Sequence, residues 1–120
     1  MATFTGNMTA GLSTSDGITL SKVLNGTALN AKALLDDAFG PGPVTVDLAP
    51  LMASIADPRF GLLMCDGEGA QLKFDGVATF TAKAYKTVLI EAASAPAGVL
   101  DLEISVLGAS QRVRFLGMGD

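Results

Sequence analysis

The second half of the chain alternates apolar and polar residues in short runs, which is the pattern of half-buried β-strands. In VLDLEISVL, residues 99–107, every second residue is aliphatic, and the final run QRVRFL repeats the alternation with Val113 and Phe115. The run FGLLMC is apolar throughout, which predicts a strand buried on both faces. Glycine-rich turns such as Asp75-Gly76 separate the runs. We therefore predict six consecutive antiparallel strands from Arg59 onward, in a meander or a Greek key.

Residues 1–17 are rich in Thr, Ser and Gly, and the large apolar side chains that follow Met1 all stand at even positions. In an extended chain even positions share a face, so Phe4, Met8 and Leu12 line one side of a strand. We predict an extended N-terminal arm or edge strand over 1–17, which offers these three residues as a subunit interface. Residues 18–120 are predicted to form a single domain.

The segment 28–39, ALNAKALLDDAF, favours a helix, because its large apolar residues cluster near one face and Thr27 is a suitable N-cap. The residues GPGP end that helix, and VTV predicts a short strand after it. Asp47 then looks like the N-cap of a second helix over 48–56. Because one-sided strands need cover, the sequence predicts a mainly β fold, an antiparallel β-sandwich or jelly-roll-like domain with one or two short helices.

The composition favours a protein that buries surface against other chains. Of the 120 residues 49% are hydrophobic and only 17% are charged, against about 25% in ordinary soluble domains. The net charge of −4 disfavours a nucleic-acid partner. No apolar run is long enough to predict a membrane span, and the N-terminus lacks the pattern of a secretory signal, so we expect folding in a cytoplasm.

The chain contains no histidine, which removes Ser-His-Asp and Cys-His catalysis and histidine-ligated zinc. The single cysteine, Cys65, has no histidine to activate it and is predicted to be a small buried hydrophobe. We therefore predict no catalytic residue, no cofactor and no enzymatic activity.

Carboxylates are the remaining candidates for a metal or acid–base site. Asp66, Glu68 and Asp75 occupy turns, but their spacing does not match a calcium-binding loop, and turn chemistry accounts for them without a metal. Asp36 and Asp37 are adjacent on the predicted helix and point about 100 degrees apart, which suits a solvated face better than a catalytic pair.

Two arginines of the last strand, Arg112 and Arg114, face outward and form a candidate partner-facing patch. Lysines of neighbouring strands extend the patch: Lys73, Lys83 and Lys86. The alternative is pairing within the chain, with Asp101 and Glu103 across the preceding hairpin.

From Ile55 to Leu116 the chain resembles small β-sandwich structural proteins of tailed-bacteriophage virions, among them capsid decoration proteins and tail or fibre components. The resemblance lies in RFGLLMC, DGEGAQLKFDG, KTVLIEA, VLDLEISVLG and QRVRFLG. It implies a non-enzymatic virion protein, assembled in the host cytoplasm, whose partners are copies of itself and other virion proteins such as capsid or tail subunits. It also implies that the N-terminal arm is an attachment segment.

A second hypothesis is a β-sandwich binding module that recognises a glycan or a protein through its loops at 66–70 and 92–98. That module would be a monomer with a measurable ligand, whereas the virion protein would be an oligomer.

Overall fold

A computed structural model describes residues 3–74, 77–78, 84–91, 102–106 and 109–120. Within these ranges β-strands dominate and the helical content is a single turn, α1, at Ala49–Met52. The strands are β1 Phe4–Ser13, β2 Thr19–Leu29, β3 Ala31–Phe39, β4 Val44–Asp47, β5 Pro58–Cys65, β6 Ala70–Phe74, β7 Val77–Ala78, β8 Thr87–Glu91, β9 Leu102–Val106 and β10 Gln111–Gly119. The structure is therefore mainly β, as the sequence predicts.

In the described part of the chain the strands form two four-stranded antiparallel sheets and one two-stranded hairpin. Sheet 1 has the order β3-β10-β5-β8, and sheet 2 has the order β4-β9-β6-β7. Successive strands from β3 to β6 alternate between the two sheets, and so do β8, β9 and β10. This order is that of an eight-stranded jelly roll. The predicted β-sandwich or jelly-roll-like fold is confirmed, and a meander is excluded.

The core lies between the two sheets. Leu63, Val113 and Phe115 point inward from sheet 1 and meet Ala70 and Val106 of sheet 2. All five side chains are fully or almost fully buried. Leu48, Met52 and Ile55, from α1 and the residues beside it, belong to the same buried cluster.

The helix predicted over 28–39 is wrong, because most of this segment is strand β3. Its nine residues pair one for one with β10, from Ala31 opposite Gly119 to Phe39 opposite Gln111. The odd positions face the core, with Ala33 buried and Leu35 half-buried. Helix preference amounts to a few tenths of a kcal/mol per residue, so the core burial of the odd positions, gained by pairing with β10, outweighs it.

The helix predicted over 48–56 is shorter than expected. Only Ala49–Met52 is helical, and its N-cap is Leu48 and not the predicted Asp47. Asp47, one residue earlier, still accepts a hydrogen bond from the Ala49 amide at 2.9 Å, and Pro50 lies in the first turn. The strand predicted at 44–46 is confirmed as β4. The expected turn at residues 75–76 lies outside the described residues, although the flanking strands β6 and β7 do pair in antiparallel fashion.

Strands β1 and β2 form a hairpin of their own, which belongs to neither sheet. Its register runs from Phe4 opposite Leu29 to Ser13 opposite Thr19. The extended segment predicted over 1–17 is therefore one arm of a hairpin, and the second arm continues to Leu29. The jelly roll begins after Asn30.

Candidate subunit interface

The hairpin has one apolar and one polar face. Cross-strand partners share a face, and the pairs Met8–Leu24 and Leu12–Leu20 are apolar, whereas Asn7–Asn25 is polar. We call the first side the apolar face; it consists of Phe4, Gly6, Met8, Ala10 and Leu12 on β1 and of Leu20, Lys22, Leu24 and Gly26 on β2. The predicted alignment of Phe4, Met8 and Leu12 is present, and the strand that completes the face is β2.

The proximal half of the apolar face lies directly on the outer surface of sheet 1. A Cβ atom on Gly6 would stand 2.8 Å from Sδ of Met118, and one on Gly26 would stand 2.4 Å from Cε2 of Phe60. Glycine at both positions lets the two backbones approach this closely. Leu24 is only 8% exposed, and Met8 lines an apolar cavity of about 100 Å³ between hairpin and sheet.

Two contacts fix the hairpin across the full width of sheet 1. The Lys32 ammonium lies 4.2 Å from the centroid of the Phe4 ring, and Lys22 Nζ lies 2.8 Å from a carboxylate oxygen of Glu91. Strand register places Lys32, Met118, Phe60 and Glu91 in one row across β3, β10, β5 and β8. The hairpin therefore crosses the sheet from β3 to β8.

The distal half of the hairpin, residues 11–21, continues past the Lys22–Glu91 contact at the β8 side. Leu12 and Leu20 lie opposite each other on the apolar face, and each is 74% exposed. Ile18 adds a further exposed aliphatic side chain at the turn. This end of the hairpin lacks the cover that the proximal half has. A two-stranded hairpin without a covering layer is only marginally stable in water.

The structure thus places the three predicted interface residues in different surroundings. Phe4 and Met8 are half-buried against the chain's own body, and Leu12 is free. Leu20 was missed by sequence reasoning. Leu20 is recognised as part of the interface because it lies opposite Leu12, and only the pairing of the two strands shows this.

A second apolar feature adjoins the hairpin on the outer surface of sheet 1. Leu34, Leu116, Leu62 and Leu89 stand side by side on β3, β10, β5 and β8, one row away from the row that the hairpin covers. We call these four residues the leucine row. Leu34 is the most exposed member at 61%, and Leu62 and Leu116 also line the cavity under the hairpin.

The arginines of β10 border the leucine row on the side away from the hairpin. Arg112 donates two hydrogen bonds to the carboxylate of Asp36, both 2.7 Å long, and Arg114 lies 3.7 Å from Asp66. The hydrogen bonds from Arg112 hold the pKa of the Asp36 carboxyl below its ordinary value, and the charges of both arginines act in the same direction.

The predicted pairing of these arginines across the preceding hairpin is wrong, because β9 and β10 belong to different sheets. Glu103 instead lies opposite Asp47 and Lys73 in the register of sheet 2, and Asp101 and Lys83 lie outside the described residues. Arg112 keeps a half-exposed side chain, so the partner-facing patch stays a prediction.

The candidates for catalysis or metal binding are dispersed. Cys65 is a buried free thiol, and burial, with the nearby charge of Asp66, raises its pKa. Asp36 and Asp37 are neighbours on a strand and therefore point to opposite faces of sheet 1. Among the described residues no group of three or more Cys, Asp or Glu could hold a metal ion; Asp75 lies outside them.

The turn at 66–69 is held by a buried side chain that sequence reasoning missed. Gln111 accepts a hydrogen bond from the Gly69 amide at 3.1 Å and donates one to the Gly69 carbonyl at 3.0 Å. Gln111 is in phase with Val113 and Phe115, and this phase was the available signal that it faces inward. The proposed ligand-binding loop at 66–70 is thus tied to the core, and the loop at 92–98 lies outside the described residues.

In the described part of the chain, the helix is too short to cross a membrane. No protein family model, curated protein or solved structure matches this chain.

Proposed function

We propose that this chain is a non-enzymatic structural protein that assembles with copies of itself through its N-terminal hairpin, as a component of a virion. The observation that carries the proposal is the half-covered hairpin. Its proximal apolar face is buried on sheet 1, whereas Leu12 and Leu20 continue the same face into solvent. A cluster of exposed apolar side chains on a projecting segment is typical of an interaction site.

The energetics support a binding role for this surface. Full burial of one leucine side chain is worth about 1.5 to 3 kcal/mol, before the cost of association. Leu12 and Leu20 together therefore offer several kcal/mol to a partner that covers them. The contacts to Phe60 and Met118 already order the proximal half of the hairpin, so the conformational entropy lost on binding is confined to the distal half.

The virion setting draws on the sequence resemblance and on the architecture. Jelly rolls occur in viral capsid proteins, and also in lectins and cupins, so the fold by itself does not choose among these. The projecting hairpin favours assembly, because a glycan-binding module has no need of an apolar arm. The tie between Gln111 and Gly69 also leaves the loop at 66–70 little freedom to adapt to a ligand.

The experiment that tests the proposal compares three forms of the full chain by light scattering over a concentration series. Wild type is expected to form a defined oligomer or larger particles. The double variant Leu12→Asn/Leu20→Asn is expected to shift strongly toward monomer. Val23→Asn removes a side chain that is 61% exposed on the polar face of the same hairpin, and it is expected to assemble like wild type.

Circular dichroism of each variant checks that the fold is retained, since all three substitutions are at exposed positions. A wild-type protein that stays monomeric at every concentration would refute self-assembly. Equal loss of assembly in Val23→Asn and in the double variant would show that the apolar face has no special role.

A further inference from the structure

We infer that the distal half of the hairpin binds a second copy of this chain at the β3 end of the leucine row, on Leu34 and Leu116. The inference rests on the proposed function and names the surface that accepts the hairpin. The donor surface is Leu12 and Leu20, which extend beyond β8 of their own sheet. The acceptor surface lies on the same outer surface of sheet 1, at the opposite edge.

A contact within the chain supports the proposed one between chains. The apolar face of the hairpin already lies on the outer surface of sheet 1, over Phe60 and Met118. The leucine row is the next row of the same surface, and the hairpin leaves Leu34 61% and Leu116 38% exposed. Leu12 and Leu20 continue the same face of the hairpin, so on a second copy they meet a surface of the same kind as the one beneath Gly6 and Gly26.

Geometry selects the β3 end of the row. Among the described residues β3 and β8 are the outermost strands of sheet 1, at opposite sides. The hairpin starts at β3, crosses to β8 and then extends further outward, so a copy that approaches the β8 side with its own β3 receives the projecting end. Leu34, on β3, is also the most exposed leucine of the row.

This arrangement joins two different patches, head to tail. Each copy donates its hairpin on one side and accepts another on the opposite side. Such a heterologous contact closes into a ring if the rotation between copies permits, and otherwise extends into a filament. Either product is a suitable unit for a structural assembly.

Charge supports a protein acceptor of this kind over a lipid surface. The chain has a net charge of −4, and Lys22, at the boundary between the two halves, is already paired with Glu91, so an anionic membrane is disfavoured.

The test is disulfide cross-linking between two single-cysteine variants of the full chain. Cys65 is the only natural cysteine and is buried, so Cys65→Ser provides a background without other thiols. A donor with Leu20→Cys is mixed with a size-tagged acceptor that carries Leu34→Cys, under mild oxidation. A matched donor carries Val23→Cys on the opposite face of the same hairpin.

The expected result is a mixed disulfide between the Leu20→Cys and Leu34→Cys chains that forms at least tenfold faster than with the Val23→Cys donor. Equal rates for the two donors, or a preference of Leu20→Cys chains for one another, would overturn the inference.

Light scattering on the wild-type chain at the same concentration separates the two proposals. An oligomer without the mixed disulfide refutes the docking site and leaves self-assembly standing. A monomer without the disulfide refutes both. Circular dichroism of each cysteine variant confirms that a negative result does not come from unfolding.

Discussion

The two halves of the hairpin share one strand pair and one alternating pattern, yet they have opposite surroundings. In the proximal half Gly6 and Gly26 rest on Met118 and Phe60, and Leu24 is buried. In the distal half Leu12 and Leu20 are each 74% exposed. An apolar face therefore marks a contact surface, but it does not identify the molecule that supplies the contact. For one half it is this chain, and for the other half we propose a second copy.

The largest expected difference between the halves concerns side-chain burial. Met118→Ala removes the thioether under Gly6 and enlarges the cavity of about 100 Å³ beneath the hairpin, so we expect a loss of about 2 to 5 kcal/mol in the free energy of unfolding. Leu12→Ala should change the stability of the monomer by less than about 0.5 kcal/mol. Urea denaturation of both variants below the assembly concentration measures the difference. Similar losses would mean that the distal half is not free in the monomer.

The two halves also differ in how closely their backbones approach other atoms, and one glycine in each half reports this difference. Gly26→Ala places a Cβ atom 2.4 Å from Phe60 Cε2 and 2.7 Å from Leu29 Cδ1, so hairpin and sheet must separate, at a cost of about 1 to 3 kcal/mol. For Gly11→Ala the nearest atoms are 3.8 Å away, and the lower entropy of the unfolded chain should leave stability unchanged or slightly raised. Thermal unfolding compares the two variants. A shift of the same sign in both would contradict the close approach at Gly26.

The ion pair at the boundary between the halves is expected to contribute less. Lys22 and Glu91 are 66% and 42% exposed, and such surface pairs are worth about 0.2 to 1 kcal/mol. A double-mutant cycle with Lys22→Ala and Glu91→Ala should give a coupling energy in this range that decreases as salt is added. A coupling that is unaffected by salt would show that the contact is not electrostatic.

The smallest expected effect concerns the charged border of the leucine row. Asp36 is stabilised as a carboxylate by Arg112, so its pKa in the folded chain lies below that of the unfolded chain. The resulting stability is present above the unfolded pKa and is lost as the pH falls through the folded pKa. Titration of Asp36 by NMR should show its pKa rise in Arg112→Gln. The rise in the Asp36 pKa should be smaller in Arg114→Gln, because Arg114 makes no hydrogen bond to this carboxylate. Equal rises in the two variants would rule out the hydrogen bonds as the main cause.

Much of the fold follows from local patterns. The alternation in QRVRFL predicts β10 with Val113 and Phe115 inside, and the apolar run FGLLMC predicts β5. The even positions of β1 predict a strand with one apolar face. For β3 the local pattern wrongly predicts a helix, because Leu34 and Asp37 interrupt the alternation and the composition suits a helix. Only the pairing with β10, about eighty residues away in sequence, decides that it is a strand.

The candidate interface shows the same division. Sequence alone determined that Phe4, Met8 and Leu12 share a face, that Arg112 and Arg114 point outward, and that histidine chemistry is absent, since each depends on composition or on residues a few positions apart. Tertiary structure alone decided that Phe4 and Met8 are covered by this chain, that Leu20 joins Leu12, and that Asp36 pairs with Arg112. The physical reason is that strand alternation is a local property of the backbone, whereas strand partners are chosen by contacts between distant segments.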